Sequence, residues 1–118
     1  MVDAEAIGYD PVSKRYLPFQ VVSQRIKRKY DIAAMARKFP VEVNVFDVVY
    51  YDGRVVMGLP LVDRRALLER MVKESRWHLK ATEKLVTEND GEAERFFQEA
   101  LRVGHEGVMI KSLVSLYV

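Results

Sequence analysis

The chain has no cysteine among its 118 residues, so neither a disulfide framework nor a thiolate metal site is open to it. It has no apolar run long enough to span a bilayer as a helix. Its first residues, MVDAEAIGYD, carry acids and no base, which is not the pattern of a secretory leader. It has no internal repeat and no low-complexity stretch. What it does have is 49% hydrophobic and 31% charged residues, the balance of a folded domain with one core and not of a disordered chain. The length suits one domain or a piece of a larger one, and the cytoplasm is its expected location.

The formal net charge is only +2, but the charge is unevenly spread. Residues 11–30 hold Lys14, Arg15, Arg25, Lys27, Arg28 and Lys29 and no acid. Residues 88–99 hold Glu88, Asp90, Glu92, Glu94 and Glu99 against Arg95. A basic stretch beside an acidic helix suits a polyanion-facing side and a solvent side, but charge runs alone more often mark two solvated faces.

Val2–Tyr9 alternates as a strand, with Asp3, Glu5, Ile7 and Tyr9 on one face, and Asp10-Pro11 then signals a turn. A short helix is expected from Gln20 and a second over Asp31–Phe39, stopped by Pro40. Val41–Tyr51 is the strongest strand signal and leads into an Asp52-Gly53 turn. One face of that strand is nearly all valine yet contains Asp47. A lone charge there is costly, so Asp47 reads as a buried, hydrogen-bonded structural acid. The other face holds Glu42, Asn44 and Phe46.

Pro60 opens a helix through Glu74, and Trp77–Thr82 reads as extended. Ala93, Phe96, Phe97, Ala100 and Leu101 mark a helix over Asp90–Val103, with Asn89 and Glu92 as a capping box and Gly104 just past its end. GVMIK, residues 107–111, and the tail to Val118 read as two more strands. Strands and helices in this order imply an α+β fold, with mostly antiparallel sheet and flanking helices.

Three stretches, DAEAIGYD with LPFQ, VFDVVYYDG and EGVMIK, stand in an order and spacing that resembles the central part of the adenylation (nucleotidyltransferase) domain of ATP-dependent DNA ligases. The archaeal and eukaryotic type is the nearest likeness, and PLVDRR at Pro60–Arg65 adds to it. The resemblance covers nearly the whole chain. It implies an enzyme that seals nicks in duplex DNA in replication, repair and recombination, through enzyme-AMP and DNA-adenylate intermediates, using ATP and Mg2+. No Lys-x-Asp-Gly occurs here, and the only Lys-x-Lys, Lys27-Arg28-Lys29, precedes EGVMIK. Residues 1–118 are therefore expected to be a partial domain that lacks both the nucleophile lysine and the final lysine motif, and to be inactive alone.

The resemblance also implies site residues. Glu5 would meet the ribose or, through water, the metal. Phe46 would stack on adenine, and Lys111 would meet the phosphates. Glu106 would bind the metal beside Gly107. Arg25, Lys27, Arg28 and Lys29 would touch DNA phosphates, giving a salt-dependent and sequence-independent attachment. Taken as parts of one regular strand, Glu106 and Lys111 point to opposite faces, so a bend or a bulge is needed if both face the nucleotide. His78 and His105 are too isolated for a metal site. Trp77, Tyr50 and Tyr51 read as packing residues. The competing reading is a small basic nucleic-acid-binding module with no nucleotide pocket, and RNA ligases and capping enzymes share the implied fold. Unpaired sheet edges would favour self-association, and no membrane partner is expected.

Overall fold

Valine-rich alternation makes the central strand, and the rest of the fold is arranged around it. The structure is a computed structural model that describes residues 1–21, 23, 40–74 and 79–118. Strands β1 (Val2–Gly8), β2 (Val41–Val48) and β5 (Leu79–Ala81) form one sheet in the order β1-β2-β5. The amide of Tyr9 donates to Pro40 and that of Val49 to Met1, so β1 and β2 run antiparallel. β5 instead runs parallel to β2, with Val43 opposite Leu79 and Val45 opposite Ala81. The α+β class is as expected, with this one parallel pairing added.

The expected single strand over residues 41–51 is interrupted at Val49. β3 (Tyr50–Tyr51) pairs antiparallel with β4 (Arg54–Val55) across the Asp52-Gly53 turn. Asp52 and Gly53 have φ of 50° and 80°, the left-handed pair that a two-residue hairpin of this twist requires. Helix α1 (Leu61–Glu74) follows Pro60, whose carbonyl accepts from the amides of Asp63 and Arg64.

Two units divide the chain. The first comprises Met1–Glu5, Val43–Thr82 and Ile110–Val118. Its core is Val45, Val48, Val56 and Leu68, with Val43, Leu67, Met71, Val72 and Leu79 packed against them. Each of those four buried side chains contributes about 1.5–3 kcal/mol.

The second unit comprises Ala6–Glu42 and Glu83–Met109. Helix α2 (Asp90–Arg102) begins as the sequence signals: the Asn89 side chain accepts from the Glu92 amide at 3.0 Å. The reciprocal half of the expected box is different, because the Glu92 carboxylate accepts a hydrogen bond from the Thr87 hydroxyl. Gly104 ends the helix at φ 100°, and a Cβ there would lie 2.3 Å from the Tyr16 carbonyl oxygen, so only glycine fits.

The two strands expected after Gly104 are not formed: residues 105–112 and 115–118 are irregular, with a turn at 113–114. In the turn and the second of these stretches, several of this segment's backbone groups are taken elsewhere. The first amides of α1 claim its carbonyls, Leu61 donating to Ser115 at 2.8 Å and Val62 to Leu113 at 2.9 Å, while Tyr117 donates to Met57 at 3.1 Å. The helices expected from Gln20 onward and over Asp31–Phe39 fall wholly or largely outside the described residues, as do Trp77 and His78.

Candidate functional site

Alternation along β2 sends neighbouring side chains to opposite faces, and Phe46 and Asp47 do different work. Phe46 is half-buried. The ammonium of Lys111, from the irregular segment after Gly104, stands over its ring at 5.2 Å from the centroid. Sixty-five positions separate the two residues, and the first unit brings them together on a cation–π contact. Lys111 itself is exposed, so its charge keeps contact with water.

Asp47 turns inward, as expected. Its carboxylate takes both prongs of the Arg64 guanidinium, Nε at 2.8 Å and Nη2 at 3.1 Å, and the amide of Val48 at 2.8 Å. The two side chains are 5% and 2% exposed, so this is a buried, bidentate ion pair. Arg64 Nη1 donates further to the carbonyls of Leu59 at 2.5 Å and Ser115 at 2.9 Å. The guanidinium also lies 5.9 Å from the ring centroid of Tyr117. The Tyr117 hydroxyl donates to Asp3 at 2.9 Å, and that bond, ahead of desolvation and the carboxylate's charge, raises the phenol above its usual 10.0. Every buried side-chain nitrogen and oxygen among the described residues has a partner.

Arg64 and Tyr117 were not assigned a role from sequence, although signals for the first were present. Arg64 follows Leu61 by three positions and precedes Leu68 by four, which puts a cation on the apolar stripe of α1. The valine face of β2 carried an acid in want of a partner.

Glu5 is exposed on β1, the strand next to β2. Glu106 is exposed in the second unit and Glu5 lies in the first, each placed within its own unit. The parity conflict between Glu106 and Lys111 disappears, because no strand joins them. No group of three or more histidine, aspartate or glutamate side chains is poised for a metal among the described residues. Neighbouring His105 stacks on Tyr16 at 4.2 Å between centroids, and the Tyr16 hydroxyl donates to Glu42 at 2.7 Å. Arg25, Lys27, Arg28 and Lys29 lie outside the described residues.

Comparison with known proteins gives one answer at three levels. The profile of the ATP dependent DNA ligase domain matches residues 1–118. A DNA ligase of Nanoarchaeum equitans is 44% identical over 115 residues, 98% of this chain and 20% of that protein. One from Thermococcus onnurineus is 48% identical over 100 residues, 85% of this chain and 18% of that protein. The chain thus spans about a fifth of the length of these curated relatives. Among solved structures, the ligase domain of LigD from M. tuberculosis is similar with a TM-score of 0.67 at 30% identity, covering 99% of this chain and 32% of that one. Mycobacterial DNA ligase D complexed with ATP and MES gives the same TM-score at 27% identity, covering 99% and 33%. With its sequence profile matched from end to end and its fold shared with solved ligase domains, this chain belongs to the ATP-dependent DNA ligase domain family.

Proposed function

We propose that this chain supplies a nucleotide-facing part of the adenylation domain of an ATP-dependent DNA ligase, an enzyme that seals nicks in duplex DNA through enzyme-AMP and DNA-adenylate intermediates. The observation that carries this reading is the half-buried Phe46 ring with the Lys111 ammonium 5.2 Å from its centroid. An aromatic face and a long-stemmed cation side by side match a purine nucleotide: the base stacks, and the cation meets the phosphates. Base–aromatic stacking contributes about 1–3 kcal/mol in nucleic-acid complexes. An ammonium on four flexible carbons reaches a phosphate as a point charge without a fixed geometry. Similarity to a ligase solved with ATP supports the same choice.

Glu5 takes the ribose in this reading, and Glu5 and Glu106 offer carboxylates toward a divalent ion. Their chemistry fits Mg2+, which takes hard oxygen donors, retains several waters and needs only one or two carboxylates besides phosphate. Each of these side chains is exposed within its own unit. Bound there, Mg2+ would neutralise phosphate charge. The domain assignment is a partial adenylation domain, since no Lys-x-Asp-Gly occurs within the 118 residues to accept AMP. Arg25, Lys27, Arg28 and Lys29 would hold nicked DNA by its phosphates.

ATP titration of the chain and of Phe46→Ala tests the proposal. Binding that is weakened at least about fivefold in the variant is expected from the loss of one stacked base. DNA binding that depends on residues 25–29, with no measurable ATP binding at all, would favour the small nucleic-acid module instead.

A further inference from the structure

We infer that Arg64 is a positioning residue for the Phe46–Lys111 pair: one planar guanidinium fixes the strand that carries the ring and the segment that carries the ammonium. This deepens the nucleotide-site reading and rests on it. The two elements it joins have no sheet ladder between them, because residues 107–112 form no strand. On one side Nε and Nη2 grip Asp47, the residue next to Phe46. On the other, Nη1 holds the carbonyl of Ser115, four positions beyond Lys111. The same Nη1 is anchored to Leu59, at the threshold of α1.

The fork shape is what this needs. Arginine presents its donors in a fixed plane, so the direction to Asp47 sets the direction to Ser115. Lysine carries the same charge on a flexible stem and fixes only one direction at a time. Tyr117 adds a second fastening on the same segment, through the Arg64 contact at 5.9 Å and the hydroxyl bond to Asp3 at 2.9 Å. With Arg64 replaced, the segment stays attached through the amides of Leu61, Val62 and Tyr117, but the distance from Lys111 to the ring is no longer set.

The test is a cycle in ATP affinity measured on the full chain, with variants Phe46→Ala, Lys111→Ala, Arg64→Lys and Arg64→Lys/Lys111→Ala, and thermal unfolding followed alongside. Arg64→Lys is expected to weaken ATP binding about two- to fivefold, the range of one displaced, exposed cation contact. In the Lys111→Ala background it is expected to do nothing further to ATP affinity, while lowering the unfolding midpoint equally in both backgrounds. Equal additional loss of affinity in both backgrounds overturns the positioning role and leaves Arg64 a stability residue only. If Arg64→Lys fails to fold, Tyr117→Leu replaces it in the same cycle under the same criterion. If neither Phe46→Ala nor Lys111→Ala changes ATP affinity, the nucleotide site itself is wrong, an outcome separate from failure of the Arg64 role.

Discussion

Replacing Asp47 by asparagine keeps the shape of the side chain and removes its charge. The guanidinium of Arg64, 2% exposed, is then left with a neutral amide and two carbonyls in place of a carboxylate. Removing one partner of a buried ion pair costs about 3–5 kcal/mol, chiefly because the surviving charge is uncompensated. For a domain of this size that corresponds to a fall of roughly 10–20 °C in the unfolding midpoint. Urea unfolding followed by far-ultraviolet circular dichroism reads the free-energy loss directly, with the slope of the transition as a check that the unfolded state is unchanged. Two controls bracket the effect. Arg102 and Glu99 form an ion pair with side chains 71% and 57% exposed, so Glu99→Gln should leave the midpoint unmoved within error. The double variant Asp47→Leu/Arg64→Met should recover a large part of the loss, since a dry apolar pair needs no compensating charge. An Asp47→Asn midpoint no lower than that of Glu99→Gln would refute the reasoning, because the pair would then contribute nothing despite its burial.

Two further outcomes follow from local geometry. Gly104→Ala should destabilise the chain by more than about 1 kcal/mol and by more than Gly53→Ala, because its Cβ meets the Tyr16 backbone at 2.3 Å whereas a Cβ on Gly53 meets nothing within 4 Å; equal losses in urea unfolding would contradict this. Tyr117 gives a pH dependence. Its hydrogen bond to Asp3, with partial desolvation, holds the folded-state phenol above the usual 10.0, so its contribution is complete below that pH and is lost as the pH rises through the folded value. The unfolding midpoint should therefore fall in alkaline solution, and less so in Tyr117→Phe; identical pH profiles for the two would remove the Asp3 bond from the account.

What could be read in the residues depended on how local the cause was. The Asp52-Gly53 hairpin, the Asn89 cap and the Gly104 terminus each follow from one or two residues, and each is found. Asp47 was legible as a structural acid from the cost of stranding a charge among valines. The tail was not legible, because Val108, Met109 and Ile110 carry a strand's composition while a strand is completed only by a neighbour. Here the first amides of α1 and Arg64 take the carbonyls of Leu113 and Ser115 further along, and Met109 and Ile110 stand 82% and 92% exposed. The parallel pairing of β5 with β2 was equally hidden, since extension is written in WHLKAT and partner choice is not. Of the candidate site, the family motifs singled out Phe46 and Lys111 separately. Only the fold shows one over the other, with Arg64 bonded to Asp47 beside the first and to Ser115 four positions beyond the second.

The central claim is that an adenine base stacks on the ring of residue 46. Intermolecular nuclear Overhauser effects between ATP and the chain, with phenylalanine rings selectively labelled, measure it most directly. Cross-peaks from adenine H2 and H8 to the Phe46 ring protons, absent in Phe46→Leu, are the expected result. Bound ATP whose adenine protons show contacts only to other phenylalanines, or to none, would contradict it.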